Sequence, residues 1–108
     1  MSPARLSQLL HFYEEDPTDP FNAYALALEY QTAEPARAEA FFTKLLTEFP
    51  DYLPTYYHAG QFFAERNDPE RAIWVFEAGI ALAEKTAQEK ALRELRGALQ
   101  RWRDEWEE

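Results

Sequence analysis

The sequence predicts an all-α chain of about six antiparallel helices, and three observations carry that prediction. Glycine occurs only three times in 108 residues, and the chain is rich in Ala, Leu, Glu, Gln and Arg, which enter a helix at little cost in rotamer freedom. No Asn-Gly or Asp-Gly hairpin signal and no sustained apolar–polar alternation is present, so nothing marks a strand. The prolines punctuate the chain: Pro3, Pro20, Pro35, Pro54 and Pro69 each stand at the start of a helical pattern, and Pro17 and Pro50 each stand at the end of one.

Taken in order, the pattern gives helices at 3–15, 20–32, 35–48, 53–65, 69–83 and 86–106. Asp19 and Asp68 precede two of the first-turn prolines and suit the N-cap, where a carboxylate accepts a free backbone N–H. Thr86 with Glu89 has the spacing of a capping box for the last helix. The connections are short, so consecutive helices are expected to pack antiparallel.

A single domain fits the length. Cysteine is absent, which excludes disulfides, thiolate metal sites and cysteine nucleophiles. The apolar start at Leu9 and Leu10 breaks off at His11, Phe12, Tyr13 and Glu14, so no signal-peptide core develops. A soluble, cytoplasmic protein without a membrane segment is expected. The formal net charge is −9 and unevenly placed. Residues 1–84 hold fourteen Asp/Glu against five Lys/Arg, whereas residues 85–108 hold six of each. An acidic body repels phosphate backbones, so nucleic acid is not an expected partner.

The most informative feature is an internal repeat. Ala23, Tyr24, Leu26, Ala27 and Tyr30 recur 33 residues later as Tyr56, Tyr57, Ala59, Gly60 and Phe63. Pro35, Arg37, Ala38, Phe42 and Leu46 recur 34 residues later as Pro69, Arg71, Ala72, Phe76 and Ile80, so the turn in the second copy is one residue longer. Pro20 and Pro54 also stand 34 apart, which leaves the register at the start of the first helix open by one residue. Small residues (Ala27, Gly60, Ala38, Ala72) are expected where paired helices approach. Large ones (Tyr30, Phe63, Phe42, Phe76) sit about one turn away to fill the space beside them.

This arrangement resembles the tetratricopeptide repeat. The second copy matches better: Tyr56, Ala59, Gly60, Phe63, Ala72, Phe76 and Gly79 fall in order on the family's aromatic, small and large positions. In the first copy Ala23 stands for the usual aromatic; in the second, Gly79 stands for the usual alanine and Glu84 stands where a closing proline is usual. The resemblance implies an α–α superhelix. A half-repeat helix would span 1–16, repeats would span 17–50 and 51–84, and a capping helix would span 85–108. Leu92, Leu95, Leu99, Trp102 and Trp106 form the apolar stripe of that last helix.

The resemblance also implies a function. First helices of such repeats line a groove for a peptide or protein segment, which places Phe21, Tyr24, Ala25, Leu28, Gln31 and Thr32 in the groove from the first copy. The second copy adds Tyr57, His58, Gln61, Ala64 and Glu65. The basic set by which some members grip a terminal carboxylate is missing. The chain is accordingly expected to be a non-enzymatic interaction module, an adaptor or scaffold. A dedicated chaperone or secretion partner for one client is the alternative, and an accessory subunit of a ligand- or metal-dependent enzyme is a third reading. Two structural questions stay open at this stage. The C-terminal helix could fill the groove. Trp74, Trp102 and Trp106 could either pack internally or form a second interface, including one between two copies of the chain.

Catalytic groups are scarce. The two serines, Ser2 and Ser7, lack any nucleophile context, and no glycine-rich phosphate loop occurs. Glu14, Glu15 and Asp16 read as a solvated turn before Pro17 rather than an acid–base pair. His11 and Glu15 stand one helical turn apart with no second pair to complete a metal site. No catalytic residue, cofactor or metal is expected.

Overall fold

A computed structural model describes residues 2–107 and contains six α-helices and no strand among them. These are α1 (Pro3–Glu15), α2 (Pro20–Tyr30), α3 (Pro35–Glu48), α4 (Pro54–Glu65), α5 (Pro69–Lys85) and α6 (Glu89–Trp106). All five of α1 to α5 begin with proline, whose fixed φ suits the first turn and whose missing N–H costs nothing there. The chain forms two compact units, Met1–Thr55 and Tyr56–Glu108.

In the first unit α2 packs against both α1 and α3. Asp19 caps α2 by accepting the N–H of Phe21 at 3.0 Å, as its place before Pro20 predicts. The interlocking positions are all inside: Ala27, Ala38 and Phe42 are fully buried and Tyr30 nearly so. Tyr30 lies parallel to Phe41 at 6.1 Å, and Arg37 covers the Tyr30 ring. Helix α2 ends at Tyr30, two residues short of the expected boundary. Proline at 35 drives Glu34 to φ −139°, and the connection closes through Glu34 N–H to the Tyr30 carbonyl at 2.9 Å.

The second unit is built from α4, α5 and α6. Gly60 of α4 lies flat against Phe76 of α5: a Cβ there would stand 2.5 Å from the Phe76 ring. Gly79 of α5 has Tyr56 of α4 on the same terms, at 2.5 Å from its Cβ, with Leu95 of α6 at 3.2 Å. Glycine is thus required by proximity at both places, and α6 seals the hairpin by burying Leu92, Leu95, Ala98 and Leu99.

The boundary between α5 and α6 differs from the expectation. Thr86 does not open α6; it closes α5, its hydroxyl donating to the Leu82 carbonyl at 2.7 Å. Gln88 precedes α6 and makes no side-chain cap. Without a proline at 84, α5 runs on to Lys85 and ends in a Schellman turn. Ala87 takes φ 56°, its N–H bonds the Glu84 carbonyl, and the Gln88 N–H bonds the Ala83 carbonyl. Helix α4 ends in the same way through Asn67, at φ 60°, with Asp68 N–H on the Phe63 carbonyl.

Candidate protein-interaction surfaces

The groove positions of α2 form an aromatic run. Phe21 is 55% exposed, and its ring lies 6.3 Å from that of the half-buried Tyr24. Tyr24 in turn meets Tyr52 edge-on at 5.7 Å. Burial raises the pKa of the Tyr24 phenol. Tyr52 is raised by burial first, then by Tyr24 and Asp19 nearby. Both rings therefore stay neutral and offer apolar faces with a hydroxyl tip. Leu28 and Gln31 continue along the helix as half-buried residues, and Ala25 is half-buried beside them; Thr32 is exposed but lies beyond the end of α2.

Tyr52 was not legible as part of this surface. It precedes Pro54 in a connection, outside any helical stripe, and only the fold brings it to Tyr24. A signal was nonetheless available in the proline-bounded turn, where Pro50 and Pro54 restrict themselves and the residues before them, Phe49 and Leu53, and so hold the short connection that carries Tyr52 to few conformations.

On α4, Tyr57 and His58 are half-buried and meet edge-on at 5.5 Å. Burial lowers the His58 pKa and favours the neutral imidazole. Glu65 is exposed. Two expectations change here. Ala64 is buried and contributes no surface. Gln61 is already engaged, its side-chain oxygen accepting the indole N–H of Trp102 from α6. The C-terminal helix thus reaches the α4 face and occupies part of the area that the second copy would offer a partner.

The three tryptophans separate. Trp102 and Trp106 stack at 6.0 Å and are half-buried, while the leucines of their stripe are sealed inside the unit. Trp74 is 63% exposed, so it does not pack under α6, and its neighbour Val75 points into the core. The outer cleft between α5 and α6 is closed electrostatically by its own pairs, Arg96 with Glu84 at 2.8 Å and Arg103 with Glu77 at 3.5 Å.

Among the described residues no group of three His, Asp or Glu side chains lies close enough to share a metal ion. His11 pairs with Glu15 at 2.8 Å on the open face of α1. Asp16 accepts the N–H and the hydroxyl of Thr18, which makes the acidic run a turn. None of the described helices is long and apolar enough to cross a membrane.

Two helical hairpins, each closed by small residues against large aromatic ones, define a helical repeat protein. Solved structures give it a family. A solution NMR structure of a tetratricopeptide repeat domain protein from Salinibacter ruber matches with a TM-score of 0.75 and 38% identity, covering 81% of this chain and 89% of that one. A crystal structure of a tetratricopeptide repeat domain protein, also from Salinibacter ruber, matches with a TM-score of 0.73 and 36% identity over 79% and 97% of the two chains. No family model and no curated protein matches the chain. The chain belongs to the tetratricopeptide repeat family.

Proposed function

We propose that this protein is a non-enzymatic adaptor or scaffold that binds a peptide or protein segment on the first-helix faces of its repeats. The observation that carries the reading is the run Phe21–Tyr24–Tyr52: three aromatic rings in sequence on one surface, the outermost more than half exposed. Exposed aromatic anchors beside half-buried ones supply large contact area at low entropic cost, which is how few residues come to dominate a binding surface. Tyr57 and His58 offer a second aromatic pair on α4. The family relationship supports the same reading, because the helical repeat is a binding scaffold in which the loops and helix faces, not the fold, set the partner.

Peptides selected from a displayed random library against the wild-type protein test this. Phe21→Ala, at an exposed site, is expected to weaken the selected peptides by roughly five- to thirtyfold, the effect of losing an aromatic anchor, with helical circular dichroism unchanged. Tyr57→Ala combined with His58→Ala is expected to weaken those that also use α4. Failure to select any binder, or binders indifferent to both variants, would overturn the reading.

A further inference from the structure

The first unit carries most of the negative charge. Residues 1–55 hold nine Asp/Glu and only three Lys/Arg, and each of the three cations is already paired: Arg5 with Glu29, Arg37 with Glu34 and Lys44 with Glu48. Where α2 begins, this unit has a hollow of about 350 Å³ lined by Pro20, Glu48, Phe49, Pro50, Asp51 and Tyr52. Its lining combines two prolines, two aromatic rings and two carboxylates. Asp51 is exposed, and its side chain has no hydrogen bond or ion pair among the described residues. Asp19 is close enough to act on the Tyr52 phenol electrostatically. Only Glu48 is offset by a cation, through Lys44 at 3.0 Å.

A hollow with aromatic faces and a carboxylate that no cation offsets selects one kind of side chain. A guanidinium is flat, weakly hydrated and permanently charged. It stacks on a ring with one face while its edge donates to carboxylates. An ammonium is more strongly hydrated and gains less from the rings, and an acidic side chain is repelled. The cleft between α5 and α6 is the counterexample, because there the protein's own arginines answer the carboxylates. We propose that the hollow at the start of α2 takes the guanidinium of an arginine in the bound segment, with the Tyr52 ring as its platform and Asp51 as its counter-charge, while the nearby Asp19, which caps α2, adds to the negative field. This rests on the reading that the α2 face binds a segment, and it names that segment's chemistry.

The test uses ¹⁵N-labelled full-length protein titrated with acetylated, amidated pentapeptides of sequence Gly-Gly-Xaa-Gly-Gly, where Xaa is arginine, lysine, citrulline or glutamate. The expected result is a set of amide shifts confined to residues 19–24 and 48–52. They should be strongest with arginine, weaker with lysine, and absent with uncharged citrulline and with glutamate. Asp51→Asn, a surface change with little risk to folding, is expected to weaken the arginine peptide about two- to fivefold, as for an exposed ion pair. Tyr52→Leu keeps the apolar bulk, removes the platform, and is expected to erase the preference for arginine over lysine. Equal shifts with citrulline, or shifts elsewhere on the protein, would overturn the proposal. Library peptides that need Phe21 but carry no basic residue would overturn it too, while leaving the interaction reading intact. Absence of any library binder would instead remove that reading itself.

Discussion

The two hairpins solve one packing problem with opposite assignments of volume. In the α2/α3 hairpin the first helix supplies a small residue, Ala23, and the second a large one, Leu45, both fully buried. At the matching positions of the α4/α5 hairpin the first helix supplies Tyr56 and the second supplies Gly79. The Tyr56 side chain fills what Gly79 leaves empty, since a Cβ on Gly79 would stand 2.5 Å from the Tyr56 Cβ. A repeat therefore conserves summed volume across a helix pair rather than residue type at each position, as close-packed interiors require.

The largest expected effect breaks that exchange. Tyr56→Ala is expected to cost about 3 kcal/mol or more, as buried aromatic truncations do. Gly79→Leu is expected to cost about 3 kcal/mol by overpacking against Tyr56. Made together, the two changes rebuild the volume assignment of the first hairpin. The double variant is then expected to be more stable than either single one, with a coupling of about 2 kcal/mol. Urea unfolding of the four proteins reads this directly. Additive losses would mean that the two positions do not trade volume.

A smaller test concerns Ala27 and Gly60, which share a position in the repeat. Gly60→Ala drives a methyl into the Phe76 ring, which is fully buried and has no room to move. The cost is expected at about 1–2 kcal/mol, after the roughly 1 kcal/mol that alanine gains in a helix. Ala27→Gly is expected to destabilise by about 1 kcal/mol through lost helix propensity and packing. The same two residues exchanged in opposite directions should thus both lower the urea midpoint. A stabilised Gly60→Ala would show that the second hairpin is not the tighter one.

How much of this was readable in the sequence follows from the same physics. The helix faces keep the 33-residue register: Ala23, Leu26, Ala27 and Tyr30 are buried, and so are Tyr56, Ala59, Gly60 and Phe63. Periodicity reports burial, so those positions were legible. The proline-marked helix starts keep a spacing of 34, and the odd residue is absorbed by α4, which runs two residues past Phe63 to Glu65, while the connection after it, 66–68, is one residue shorter than 31–34 rather than longer as the repeat spacing predicts. Helix ends were less legible, because they depend on which carbonyls find a donor. Nothing in the residue Ala87 announces a left-handed conformation, and Thr86 suits either end of a helix. Of the candidate surface, the residues on α2 and α4 came from the repeat register. Tyr52 and the Trp102–Gln61 hydrogen bond did not, since each joins segments that no sequence period connects.

Three changes of about 1 kcal/mol or less sharpen the contrast between well and poorly matched sites. Thr55 is fully buried and its hydroxyl has no hydrogen-bond partner. Thr55→Val keeps the shape and removes the unmet group, and is expected to raise stability by about 1 kcal/mol. The two Schellman turns give a matched pair. Ala87→Gly is expected to stabilise by about 0.5–1 kcal/mol, because alanine is strained at positive φ. Asn67→Gly, at nearly the same φ, is expected to change stability by only a few tenths, since asparagine tolerates that conformation. Thermal melts of the three variants order these effects. A destabilised Ala87→Gly would mean the turn is set by contacts of the methyl group rather than by backbone strain.

The smallest effect belongs to His58, whose pKa burial lowers from the ordinary 6.5. Between the lowered folded value and 6.5 the unfolded chain holds a proton that the folded chain does not. Folding stability therefore rises with pH across that window, is fully recovered above it, and is lost as the pH falls through it. His58→Gln removes this slope. Urea midpoints measured from pH 7.5 down to 5.5 are expected to fall more for the wild type than for the variant. A bound peptide that covers His58 would desolvate it further and widen the gap, whereas a peptide confined to α2 would leave it unchanged. The pH dependence of affinity for selected peptides thus tells whether a partner uses the aromatic pair of the second unit or the aromatic run of the first. Identical slopes for wild type and His58→Gln would show that the imidazole is not withdrawn from water, and the surface on α4 would be more open than its packing against Tyr57 indicates.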